Sequence, residues 1–123
     1  MMLDTHIAVA LYEGRTAGLG AHVKRRLDRG QASISPAVAL ELELLHEIGR
    51  LRPDATAIAS YLAEQLGIRI AADRFADVAM RALGLAFTRD PFDRLIVAHA
   101  DLGEAALVTF DERMLRHYPR ATR

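Results

Sequence analysis

The chain has no cysteine. Disulfides, thiolate metal sites and a cysteine nucleophile are therefore all excluded, and any bound metal must be held by oxygen or nitrogen. A net positive field is missing too, because 16 basic and 16 acidic residues cancel. Charge alone thus does not announce a nucleic-acid partner, although it can still be segregated locally. Lys24 is the only lysine among the 16 basic residues. The arginine-rich remainder suits bidentate phosphate contacts and is explained equally well by a coding preference. No apolar run approaches the roughly 20 residues that span a bilayer, and Asp4 puts a charge where a signal peptide keeps its apolar centre. A cytoplasmic protein without membrane contact is expected. No nucleophile elbow, P-loop or G-x-G-x-x-G occurs, so acyl transfer, nucleotide triphosphate and dinucleotide chemistry have no local support. The five histidines, His6, His22, His46, His99 and His117, show no ligand spacing, and most read as surface or helix-flank residues.

What is present is an alternation of short apolar runs with helix signals. A length of 123 residues, about half of them apolar, supports one domain over 1–123 with one core. Met1 to Leu3 reads as a short strand, followed by a helix that stops near Gly14. A second helix carries Leu19, Val23 and Leu27 at spacing four, with Lys24, Arg25, Arg26 and Arg29 as a solvated face, and closes at Gly30. Residues 32–35 make a second strand. Ser35-Pro36 then starts a helix to about Arg50, with serine as N-cap and proline at the first helical position. Pro53 opens another helix, which Gly67 ends ahead of a third strand at 68–71. Asp73 caps the next helix in this reading. Asp90-Pro91 repeats the cap-and-proline signal for a helix through Leu102, and residues 105–110 form the clearest buried strand. Strands alternating with helices predict a mostly parallel sheet of four to five strands, covered on both faces.

Four acids stand where strand-like runs give way to helices: Asp4, Glu41, Asp93 and Asp111. In a parallel sheet such positions gather beyond the carboxyl ends of the strands, where ligands bind. Taken singly, Asp4 and Asp111 are equally readable as helix N-caps. Glu41 lies within the inward arc defined by Val38, Leu42 and Leu45, whereas Glu43 and Glu47 lie opposite and pair with Arg50. A carboxylate on an apolar face needs a positive partner, either a buried arginine or a metal. Glu41 starts about 8 Å along its helix from Pro36 at 1.5 Å per residue, and it reaches back because helical side chains lean toward the N-terminus. Asp90 is expected to cap its helix, leaving Asp93 ionised beside the positive end of the helix dipole. Gathered carboxylates repel unless a cation sits among them, and an all-oxygen set favours Mg²⁺ or Mn²⁺ over Zn²⁺. Metal-bound carboxylates are a common device for hydrolysing phosphodiesters, so the residues point to a metal-dependent nuclease.

The ordered set Leu3-Asp4-Thr5-His6, Ile34-Ser35-Pro36 through Leu40-Glu41-Leu42, Arg89 to Ala98 and Leu107 to Asp111 resembles PIN-domain toxins of the VapC type, over essentially the whole chain. The resemblance implies a PIN-like three-layer α/β/α fold and an Mg²⁺- or Mn²⁺-dependent endoribonuclease. It also implies a homodimer held inactive by a cognate antitoxin, seated in a groove between the N-terminal helices and the helix after Pro53. Asp4, Glu41, Asp93 and Asp111 would be the catalytic quartet, Asp4, Asp93 and Asp111 the metal ligands, and Thr109 a polar neighbour supporting them. The chain departs from the family pattern in its very short opening strand and in a stunted or missing final strand after Tyr118-Pro119. The main rival reading is a PIN-like module that binds RNA or protein without cutting. A haloacid-dehalogenase-type phosphatase fails because position 6 is His rather than Asp. A phosphoacceptor receiver domain fails because Lys24 lies too early.

Overall fold

The computed structural model describes residues 1–123. Five strands of two residues each run in the order Met2–Leu3 (β1), Ser33–Ile34 (β2), Arg69–Ile70 (β3), Leu107–Val108 (β4) and Ala121–Thr122 (β5). Seven helices separate them: Thr5–Tyr12 (α1), Ala21–Asp28 (α2), Pro36–Glu47 (α3), Ala55–Leu66 (α4), Phe75–Ala82 (α5), Pro91–Leu102 (α6) and Glu112–His117 (α7).

Local chemistry sets most helix boundaries. The Ser35 hydroxyl accepts from the Ala37 amide at 3.2 Å, with Pro36 opening α3. Asp90 accepts from the amides of Phe92 and Asp93 at 2.8 and 3.3 Å, with Pro91 opening α6. Both serine- and aspartate-proline signals are thus realised. Three expectations change. Pro53 stays outside α4, because Asp54 caps it by accepting from Ala57 at 2.8 Å. Arg74 rather than Asp73 occupies the cap of α5, without a side-chain bond, because Asp73 turns to His99 instead. The α3 helix stops at Glu47, where Ile48 is the cap and Gly49 takes φ +79°.

The sheet order is β3-β2-β1-β4-β5, and every pairing is parallel. The final strand exists: Thr122 is level with Val108, and the Thr109 amide donates to the Thr122 carbonyl at 3.0 Å. Right-handed crossovers put the connections β1–β2 and β2–β3 on one face and those leading to β4 and β5 on the other. The result is a three-layer α/β/α arrangement whose direction of travel reverses at β1. Strand residues Leu3, Ile34, Leu107 and Val108 form the middle of the core with Ile7 of α1, Val38 and Leu42 of α3, Ile58 and Leu62 of α4, and Ile96 of α6. Each fully buried aliphatic side chain contributes about 1.5–3 kcal/mol, and this burial fixes strands too short to hold themselves.

Candidate metal centre

Leu3 is level with Ile34 on one side and with Val108 on the other. The next residues, Ser35, Asp4 and Thr109, therefore stand side by side at the carboxyl edge, where the chain leaves β1 and β4 for opposite faces. A crevice opens at such a switch point. Asp4 is only 4% exposed there. Its Oδ1 accepts from the Thr5 amide and its Oδ2 from the Thr109 hydroxyl, each at 2.7 Å. The Thr109 Oγ1 also accepts from the Asp111 amide at 2.9 Å. One hydroxyl thus links the acid at the end of β1 to the acid that follows β4.

Glu41 comes from the side. Its Oε2 accepts a short hydrogen bond from the Thr5 hydroxyl, so Thr5 serves Asp4 through its amide and Glu41 through its side chain. Asp111 caps α7, its Oδ1 accepting from Arg113 and Met114 at 2.7 and 3.0 Å. The capping reading of Asp111 therefore holds and occupies one oxygen, leaving Oδ2 free. Asp93 lies in the first turn of α6, where Asp90 takes the capping role. Its carboxylate, like the second oxygens of Glu41 and Asp111, accepts no hydrogen bond from the protein.

No arginine neutralises the set. The chain's five ion pairs, among them Arg81–Asp101 and Arg74–Asp77, leave out all four acids. A buried arginine beside Glu41 is therefore ruled out. The expected pairing of Glu43 with Arg50 is absent as well; Glu43 instead accepts from the Ala55 amide at 2.9 Å and ties α3 to the start of α4.

The charges feel one another. Partial burial pushes the Asp93 carboxyl up to about 7, with Asp90, Asp4, Asp111 and Glu41 each adding to the rise. Burial likewise raises Asp4, outweighing the bonds from Thr109 and Thr5. Burial raises Glu41, and Asp4 and Asp90 reinforce it against the Thr5 bond. No three His, Asp or Glu side chains are already closed around an ion-sized gap. The donor set nevertheless fits a divalent cation. All the ligand atoms would be hard oxygens, three of the carboxyls hold their protons more tightly than usual, and a cation relieves both burial and repulsion.

Two participants escaped the sequence reading. Thr5 is one; its only signal is a hydroxyl directly after Asp4. His99 is the other, and it is the one buried histidine of the five, 3% exposed. Its Nδ1 lies 3.0 Å from the Ser35 hydroxyl and its Nε2 2.9 Å from Asp73 Oδ2. It follows the apolar Leu95 and Ile96 at spacings of four and three, which marks an inward position on α6. Through it, the helix carrying Asp93 is tied to the first residue before the helix carrying Glu41.

The fold and its edge define a doubly wound parallel α/β protein with an acidic centre at the strand switch point. Residues 1–120 match the PIN domain family, and the chain belongs to that family. PIN domains are generally nucleases that use divalent metal ions. Among solved structures, a toxin-antitoxin complex from Klebsiella pneumoniae shares the fold with TM-score 0.67 and 20% identity, covering 99% of this chain and 95% of that one. VapBC2 from Rickettsia felis, bound to a DNA fragment from its promoter, gives TM-score 0.69 and 19% identity, covering 98% and 93%. No curated protein sequence matches the chain.

Proposed function

We propose that this chain is a Mg²⁺- or Mn²⁺-dependent endoribonuclease, the VapC-type toxin of a toxin-antitoxin pair, acting as a single domain over residues 1–123 in the cytoplasm. The observation that carries the reading is geometric: Asp4, Glu41 and Asp111 are linked through Thr5 and Thr109 at the carboxyl edge, and neither they nor Asp93 is paired with an arginine. Burial and these neighbouring acids push the Asp93 carboxyl up to about 7. Such repulsion is retained where a cation is needed. Asp4, Asp93 and Asp111 would hold the ion. When bound, the ion would lower the pKa of water and offset charge on the phosphate oxygens.

The residues divide the remaining work. Thr5 and Thr109 lock both oxygens of Asp4, so this ligand keeps one orientation. Thr5 also pins Glu41 Oε2, leaving Oε1 to accept a hydrogen bond from the attacking water and to aim its lone pair at phosphorus. Asp111 is braced by the first turn of α7 through Oδ1 and offers Oδ2. His99 fixes the start of α3 against α6 and so keeps Glu41 and Asp93 at a constant separation.

The partner assignment has its own support. The two solved structures described above are of toxin-antitoxin proteins. A cavity of about 640 Å³ lies between α1, α2 and α4, lined by Leu11, Lys24, Leu27, Gln65 and Leu66, where an antitoxin segment would seat. Exposed Leu40 on α3, Ile48 at its C-cap, and Phe75 and Met80 on α5 supply apolar surface for a homodimer.

Purified protein incubated with total RNA tests the activity. Cleavage that requires Mg²⁺ or Mn²⁺, stops with EDTA and is lost in Asp93→Asn is expected. Full activity in EDTA or in Asp93→Asn overturns the metal mechanism, and RNA binding with no cleavage under any ion identifies a non-cutting module.

A further inference from the structure

Beside the acids lies a second cavity, of about 400 Å³, lined by His6, Val9, Ala10, Arg15, Phe110 and Asp111. Ala10 is buried and Val9 half-buried, so these α1 residues form the floor, while His6, Arg15 and Phe110 are exposed around it. Asp111 belongs both to this cavity and to the acidic centre. His6 lies near enough to that centre to lower the proton affinity of Asp4 and Glu41.

Phe110 is the unexplained member. It leaves β4 between buried Thr109 and the capping Asp111, stays 38% exposed and takes no part in the core clusters. An aromatic ring at the rim of a charged crevice contributes little to folding. Its position is nevertheless held. A Cβ on Gly18 would lie 3.4 Å from two of the ring carbons, and Gly18 adopts φ +85°, where other residues are strained. Glycine thus lets the 14–20 loop close on the ring edge without covering the ring. The same loop carries Arg15, whose amide donates to the Ala10 carbonyl at 2.7 Å. The Arg15 side chain pairs only with exposed Glu13, a contact that water and salt weaken, so its guanidinium is available.

We infer that this cavity is a nucleotide subsite for single-stranded RNA, in which the base flanking the scissile phosphate stacks on Phe110 and the adjoining phosphate meets Arg15 and His6. The inference rests on the ribonuclease reading and deepens it by naming where the strand is gripped. An aromatic face accepts any base, so the subsite supplies affinity without demanding a sequence, and guanidinium suits phosphate. The link through Asp111 sets the gripped nucleotide next to the acids.

The chain's lack of tryptophan gives a direct test. Phe110→Trp introduces a single indole, whose fluorescence should be quenched as a single-stranded oligoribonucleotide binds, in an Asp93→Asn background that prevents cleavage. Fluorescence anisotropy in the same background should show Phe110→Ala weakening binding on the order of 10-fold, the effect of deleting one base–aromatic stack. Arg15→Ala should flatten the salt dependence of binding. Unquenched indole with intact RNA binding, unchanged affinity in Phe110→Ala, or no RNA binding at all overturns the subsite. Quenching and a Phe110 effect in a protein whose unsubstituted form cuts no RNA would uphold the subsite and sink the nuclease reading. Cleavage indifferent to Phe110 would do the reverse.

Discussion

Thr109 donates its hydroxyl hydrogen to Asp4 Oδ2 at 2.7 Å across 105 residues of sequence. The Thr109 hydroxyl oxygen itself accepts from the Asp111 amide, so removing the hydroxyl strands a buried acceptor and a donor together. Thr109→Val, nearly the same shape, should cost about 1–3 kcal/mol of stability by chemical denaturation. It should also raise the Asp4 pKa further and move the acid limb of RNA cleavage to higher pH. Thr109→Ser, which keeps the hydroxyl, should behave like the parent; equal loss in both variants would assign the effect to packing.

Asp93 makes metal-free stability depend on pH in a definite direction. Its carboxyl keeps its proton to about pH 7 when folded, against 3.8 for the ordinary group. Between those values the folded chain holds more protons than the unfolded one, so this residue's contribution falls as pH rises. It is complete below the unfolded value and gone above the folded one. In EDTA, Asp93→Asn should therefore gain stability over the parent on going from about pH 4 to about pH 7.5. Urea midpoints that keep a constant gap between the two proteins would refute this.

Divalent ions should reverse that penalty. A cation must displace protons from Asp93, and in part from Asp4 and Glu41, so its affinity should climb from about pH 5.5 to about pH 8 with proton release. Ion at about 100 times its dissociation constant adds about 2.7 kcal/mol to folding. Calorimetric titration in buffers of different ionisation enthalpy counts the protons. A heat independent of the buffer would exclude the coupling.

His99→Ala should cost about 2–4 kcal/mol, since it opens a cavity and leaves Ser35 and Asp73 without their partner. At a temperature where the variant is still folded, kcat should fall while KM stays near the parent value. A change confined to KM would contradict a role in spacing Glu41 from Asp93.

The elements that sequence disclosed were those with local causes. Ser35-Pro36 and Asp90-Pro91 each carry cap and first-turn chemistry within two residues, and both start helices as expected. The strand expected over 105–110 is present at its centre, where Leu107 and Val108 are fully covered, but it is shorter than expected, with Phe110 exposed beyond it. Ala121–Thr122 is different: two half-buried residues shortly after a proline form no run, and the carbonyls of Arg120 and Thr122 facing the amides of Leu107 and Thr109 make them a strand.

The candidate centre was legible to the extent that charge position reveals it. Asp4 and Asp111 follow strands, and Glu41 breaks an apolar stripe. Of their anchors only Thr109 was anticipated, and that through the family resemblance; Thr5 and His99 were not legible, because they act through contacts between distant segments. Asp73 shows the cost of reasoning locally: it stands where a cap belongs, yet a buried histidine 26 residues away claims it.

The position of β1 at the middle of the sheet carries a consequence for synthesis. Met2 and Leu3 are synthesised long before Leu107 and Val108, and their second edge is paired only when those residues arrive. Until then Asp4 lacks its threonine partner and Asp111 does not exist. A growing polypeptide of this design therefore holds its acidic centre open until late in synthesis, because the carboxyl that completes the set of four is made long after the strand that anchors the first.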